Sequence, residues 1–173
     1  MSKFNIDLFK MGYIILYKSG QGKFGKAIVK AQIKKGFNQS EAEYTHSEIS
    51  GGGKHSVNIA PPISKLVNIL EKHKGRYAIL LRYKNEDYEK KGRYKVAYFS
   101  ATLANLGYDI RGVLKFIFKW IGNDNRLFFC SEGVAFSLQK VYPKALGIKP
   151  AKVMPAHFVQ SPEFETVWEG IIK

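Results

Sequence analysis

The inventory of nucleophiles and bases in this 173-residue chain is short: one thiol, Cys130, and four imidazoles, His46, His55, His73 and His157. Cys130 lies in Phe128-Phe129-Cys130-Ser131-Glu132-Gly133-Val134, where an apolar run passes into a helical pattern stopped by Pro143. A helix starting at the cysteine brings its unsatisfied amides and positive dipole end to the sulfur, which favours the thiolate. A first-turn amide, such as that of Ser131, then becomes a candidate oxyanion donor. A lone cysteine behind two phenylalanines also fits an inert core residue.

His46 falls inside a strand-like run, 44–50, a rigid element suited to holding a general base. Gly51-Gly52-Gly53 separates this run from a second, 54–60, and predicts a hairpin. A three-residue loop centred on Gly52 pairs Ser50 with Lys54, Glu48 with Ser56, and His46 with Asn58. Directly opposed strand residues have Cβ atoms about 5 Å apart, so Asn58 is placed to orient the imidazole in a Cys-His-Asn arrangement. Glu48 shares the face of His46 and is the rival orienting group, while His55 points to the other face. A partly buried strand histidine with no chemistry is the plainer reading of His46. The histidines and the cysteine lack the short paired spacings of a zinc site, and no phosphate loop, dinucleotide fingerprint or serine elbow occurs. No metal and no cofactor are expected.

The elements that must hold these residues follow from periodicity. Residues 12–17 and 76–83 read as buried strands, and 24–35 as an amphipathic helix ended by Gly36. A polar loop is expected over 38–43. Helices are expected over 86–106, 111–121 and 130–141, and a last strand over 164–168. The pattern is α+β, an antiparallel sheet with helices packed to one side, in one domain spanning 1–173.

Composition narrows the class. At 45% hydrophobic and 14% aromatic residues the chain can build a core, which excludes disorder. Twenty-eight Lys and Arg against 14 Asp and Glu leave a charge of +14. That surplus attracts an anionic partner: membrane headgroups, an acidic cell-wall polymer or nucleic acid. With one cysteine no intramolecular disulfide can form. Residues 1–17 carry no signal-peptide pattern, so the cytoplasm is the expected location. The segment 113–121, broken by Lys115 and Lys119, is too short to span a bilayer and offers a candidate surface for anionic lipid.

The order of these features resembles a known family. Gly12-Tyr-Ile-Ile-Leu16, a helix, Tyr44-Thr-His-Ser-Glu-Ile49, a strand ending near Pro61-Pro62, and Phe129-Cys-Ser-Glu132 opening a helix are similar to the permuted NlpC-like branch of papain-fold cysteine hydrolases. This is the YiiX/YebB-like group, related to lecithin:retinol acyltransferase, in which the histidine precedes the cysteine. The resemblance runs from about residue 12 to 141 and includes Tyr108-Asp109, to which no role attaches. It implies a papain-like sheet or small barrel, with Cys130 as nucleophile, His46 as base and Asn58 as the third polar residue. It also implies hydrolysis or transfer at a peptide, amide, ester or thioester through an acyl-enzyme. Three departures stand out: Tyr13 replaces the usual acidic residue, Ser47 and Glu48 replace small apolar residues, and Asn58 stands where Glu or His is common. The alternative is a basic protein that binds nucleic acid or anionic lipid, including an inactive relative of the family.

Overall fold

Strand β1 (Ile14–Lys18) is buried along nearly its whole length, which is why Ile14-Ile-Leu-Tyr17 is continuously apolar instead of alternating. It lies at the middle of a six-stranded antiparallel open sheet. The other strands are β2 (Tyr44–Gly52), β3 (His55–Asn58), β4 (Lys65–Asn68), β5 (Tyr77–Tyr83) and β6 (Phe164–Ile171). Their spatial order is β4-β3-β2-β1-β5-β6. The molecule is thus mixed helix and strand of α+β type, with an open sheet where a small barrel was the other expectation. This computed structural model describes residues 3–20, 22–107 and 129–173, so Tyr108-Asp109 and the helix expected over 111–121 lie outside the described residues.

The helices are α1 (Lys23–Lys34), α2 (Gln39–Ala42), α3 (Ile69–Lys72), α4 (Arg93–Ala101), α5 (Cys130–Gln139) and α6 (Pro155–Gln160). The expected polar loop over 38–43 contains α2, because Asn38 and Glu41 cap each other's backbone amides in a capping box. The single helix expected over 86–106 is shorter: a π-turn, Tyr88–Gly92, feeds α4, which ends at Ala101. Strand β4 and helix α6 were not anticipated. Each is short, four and six residues, and gives little periodic signal.

Two contacts fix the frame around β2. Buried Gln32 of α1 donates from Nε2 to the carbonyls of Ala42 and Tyr44 at 2.8 and 2.9 Å, and its Oε1 accepts from the Ala156 amide at 2.9 Å. One side chain thus ties α1, α6 and the start of β2. Helix α5 packs on β2 and α4, and Gly133 lets it approach closely. A Cβ at Gly133 would lie 2.2 Å from Ile59 Cδ1. Among the described residues, no helix is long and apolar enough to cross a membrane.

The hairpin register departs from expectation. Glu48 pairs with Asn58, Ser50 with Ser56 and Gly52 with His55, with an irregularity between Ser50 and Gly52. Gly52 and Gly53 have φ of +98° and +55°, so the reversal is made later in the chain than a loop centred on Gly52. The pairing is therefore shifted by two residues. Because side chains alternate with a period of two, the shift leaves His46, Glu48, Ser56 and Asn58 on one face; a shift of one would have separated them.

Candidate active site

Strand β2 supplies two of the central groups. His46 stands opposite Tyr17 of β1, and Glu48 stands opposite Ile15 on one side and Asn58 on the other. Asn58 is the last paired residue of β3, so it is a diagonal neighbour of His46, still within reach on the shared face. His46 Nε2 lies 3.0 Å from Asn58 Oδ1 and 3.0 Å from Glu48 Oε1. One N–H serves both acceptors, and the charged carboxylate is the stronger of the two.

With Nε2 occupied, Nδ1 is the ring nitrogen left to meet Cys130, whose thiol is coupled to the His46 ring. Cys130 is the first residue of α5 and is almost fully buried, while the His46 ring keeps 17% exposure. Burial opposes charge on both groups. It is outweighed on His46 by the neighbouring Cys130 and by Glu48 behind the ring, which together raise its pKa to about 10. For Cys130, burial is outweighed by the neighbouring His46 ring and its charge, aided by the Ser47 backbone, so the thiol falls below its ordinary value. Both directions favour a thiolate–imidazolium pair.

Glu48 is wholly buried yet fully partnered. Its Oε1 meets His46 Nε2 at 3.0 Å and His73 Nε2 at 2.7 Å. Its Oε2 accepts from Tyr17 at 3.2 Å and Ser56 at 2.5 Å. Burial alone would raise its pKa, but the two imidazoles hold it well below the usual carboxylate range. A buried carboxylate with four donors is the condition under which its charge is tolerated.

His73, Arg76, Tyr17 and Ser56 are the members of this cluster that sequence reasoning missed. Asn68 caps α3 by accepting from the Leu70 amide, which fixes the single turn leading to His73. Gly75, at φ +79°, allows the following reversal, and the Arg76 amide returns to the His73 carbonyl at 3.0 Å. An asparagine before Ile69-Leu-Glu-Lys-His73, with Gly75 after it, was the available signal.

The pair opens onto a cleft of about 380 Å³ whose lining includes Cys130, His46, Thr45, Asn58, Phe24, Ile28, Pro61, Lys72 and Arg76. Among the described residues, no carboxylate lines it. Ser131 is buried and its hydroxyl donates to the Val153 carbonyl at 2.7 Å, so only its amide is available as an oxyanion donor. His55 is exposed, and His157 Nδ1 accepts from the Met154 amide at 2.9 Å, which ties it to the start of α6.

His46, Glu48 and His73 hold ligand-type atoms within 4.8 Å of one another, a spacing a metal ion could use. The donor chemistry does not fit one. Arg76 Nη1 lies 3.2 Å from His73 Nδ1, and a guanidinium can only donate, so the His73 proton is on Nε2 and directed at Glu48. A metal at that nitrogen would have to displace this proton. No family model matches the chain, and no curated protein matches it.

Proposed function

We propose that this protein is a cysteine hydrolase with a permuted papain-like arrangement, acting through an acyl-enzyme on Cys130. The observation that carries the reading is His46, which lines one cleft with the thiol at the start of α5 and is held from behind by Glu48 and Asn58. A nucleophile, a base and one group that orients the base thus line a single cleft, with Glu48 buried behind the base.

In the first step the Cys130 thiolate forms a bond to the substrate carbonyl carbon, and the C=O π pair moves to oxygen. Amides of the first turn of α5, unsatisfied because a helix start has no internal acceptors for them, face the developing oxyanion. The carbonyl re-forms, the bond to the leaving amine, alcohol or thiol breaks, and His46 gives that group its proton. Water then attacks the thioester, His46 takes a water proton, and the acid leaves with regeneration of the thiolate. Glu48 and Asn58 keep the ring aligned through both transfers. Glu48 bears the negative charge that balances the imidazolium, so it is the principal orienting group, with Asn58 sharing the same N–H.

Peptides, amides and lipid acyl groups are the substrate classes this chemistry serves. The +14 charge and a cleft lined by Lys72 and Arg76, with no acidic residue among the described ones, support an anionic substrate or surface. Simple binding of nucleic acid or lipid headgroups would leave the buried charge pair without a purpose.

The deciding experiment is the rate of iodoacetamide alkylation of Cys130 against pH, in wild type and His46→Ala, read by intact mass. Fast alkylation continuing well below a pH of about 8.5, the ordinary thiol value, and lost in the variant, is expected. A wild-type thiol that reacts slowly at every pH sinks the proposal and leaves the binding reading.

A further inference from the structure

Behind Glu48 the catalytic pair has a supporting chain whose outer members, His73 and Arg76, the mechanism above does not use. It runs from Arg76 to His73 to Glu48, and every link has a defined donor. Arg76 Nη1 points at His73 Nδ1 at 3.2 Å, and its Nη2 donates to the Lys18 carbonyl at 3.0 Å. The guanidinium also lies over the Tyr17 ring, 4.9 Å from its centre. His73 is stacked on the same ring at 4.0 Å and is buried. Its Nε2 reaches Glu48 Oε1 at 2.7 Å, the oxygen that His46 also uses.

The consequence lies in the protons. A neutral imidazole has one N–H, and a guanidinium has no lone pair to accept it, so Arg76 leaves His73 Nδ1 as the acceptor. The proton must then sit on Nε2 and be donated to Glu48. If Nδ1 carried it instead, Nε2 and Glu48 Oε1 would face each other lone pair to lone pair at 2.7 Å. If both nitrogens were protonated, His73 would be a cation against Arg76 and would compete with His46 for the one carboxylate. Among the described residues, the charged and titratable groups around His73 are Tyr17 from β1, His46 and Glu48 from β2, and Arg76 from the turn before β5. Burial, with the charges of His46 and Arg76, pushes His73 below its ordinary pKa against the pull of Glu48, in keeping with a neutral ring.

We infer that Arg76 and His73 are positioning residues: Arg76 fixes the tautomer of His73, and neutral His73 donates to Glu48 so that this carboxylate stays ionised and committed to the His46 imidazolium. This rests on the hydrolase reading for its purpose, but the tautomer can be read without any substrate. The expected result is that nitrogen-15 NMR of histidine-labelled wild type shows His73 protonated on Nε2 alone between about pH 5.5 and about pH 7.5, the span about one unit either side of the ordinary histidine pKa of about 6.5.

Variants then separate the chain from mere packing. His73→Phe keeps a ring on Tyr17 but no donor. It is expected to move the midpoint of the Cys130 alkylation profile up by about one pH unit, lowering the rate on the acid side of the wild-type midpoint about tenfold. His73→Gln, whose amide can still donate to Glu48, recovers most of that loss. Arg76→Leu frees His73 Nδ1 to take a proton, so a new step enters the profile near the ordinary histidine range of about 6.5, and Arg76→Lys suppresses it. If His73→Phe does not fold, the wild-type tautomer and the Arg76 pair decide. A His73 protonated on Nδ1, or a His73→Phe profile that overlays wild type, overturns the relay while leaving the hydrolase reading intact. An inert wild-type thiol beside an Nε2-protonated His73 overturns the hydrolase reading, and the relay's catalytic purpose falls with it.

Discussion

Strands β1 and β2 run side by side at the centre of one sheet and are buried to a similar depth, yet their chemistry is opposite. β1 buries Ile14, Ile15, Leu16 and Tyr17. β2 buries Ser47, Glu48 and Ser50 without exposure, with His46 only slightly open. An apolar strand needs only packing, and its contribution is roughly proportional to the area removed from water. A polar strand at the same depth must satisfy each group or forfeit stability. Glu48 meets that demand with four donors from β1, β2, β3 and the turn after α3. The comparison separates residues that hold the sheet together from residues whose burial stability alone does not explain.

Breaking the pair itself is expected to have the largest effect. Cys130→Ala abolishes turnover and alkylation at this site, while urea unfolding stays cooperative; residual turnover at the wild-type rate would remove Cys130 from the mechanism. Next comes the contrast across the β1–β2 ladder, where Ile15 faces Glu48. Glu48→Leu strands the donors that surrounded the carboxylate and costs about 3–5 kcal/mol. Ile15→Ala leaves a cavity and costs about 2–5 kcal/mol. Stability falls to a similar extent in both, but only Glu48→Leu loses the low-pH reactivity of the thiol in its folded fraction. Equal loss of reactivity in Ile15→Ala would erase the distinction.

The pH dependence of stability sharpens the same contrast. The Glu48 pKa is depressed on folding, so its contribution is present above the unfolded value of about 4.3 and is lost as pH falls through the lowered one. The His46 pKa is raised to about 10. Its contribution is therefore complete below the unfolded value of about 6.5 and is lost as pH rises through the folded one. Urea midpoints measured from acid to alkaline pH should fall at both ends in wild type, and Glu48→Gln should flatten both limbs. An unchanged alkaline limb in that variant would show that the carboxylate does not hold the imidazolium. The smallest effect belongs to Asn58→Ala. It removes the neutral acceptor and leaves the charged one, so about 1 kcal/mol, or about fivefold in kcat/KM, is expected. A loss larger than that of Glu48→Gln would reverse the order of the two orienting groups.

The legibility of the site varies residue by residue. Cys130 and His46 could be named because a helix start after Phe129 and a strand around His46 are local patterns. Glu48 and Asn58 followed from alternation, and the two-residue error in register did no harm because two is the period of a strand. Ser131 was only half legible: its place in the first turn was local, but the Val153 carbonyl that captures its hydroxyl lies 22 residues away. His73 and Arg76 belong to a one-turn helix and a glycine turn too short to show periodicity.

The sequence by itself determined the alternation of His46 and Glu48 on one strand face, the helix beginning at Cys130, the long apolar core of β1 and the surplus of positive charge. These are properties of neighbours along the chain, set by backbone geometry and side-chain type. Only the tertiary structure decided that His46 gives Nε2 to Glu48 and Asn58 together, and that Tyr17, Ser56 and His73 complete the shell of one carboxylate. Those choices depend on which strands pair and in what register, and on where a turn 25 residues beyond Glu48 brings its imidazole. Hydrogen bonds act over about 3 Å, so a partner distant in sequence becomes visible only when the fold has brought it within that reach.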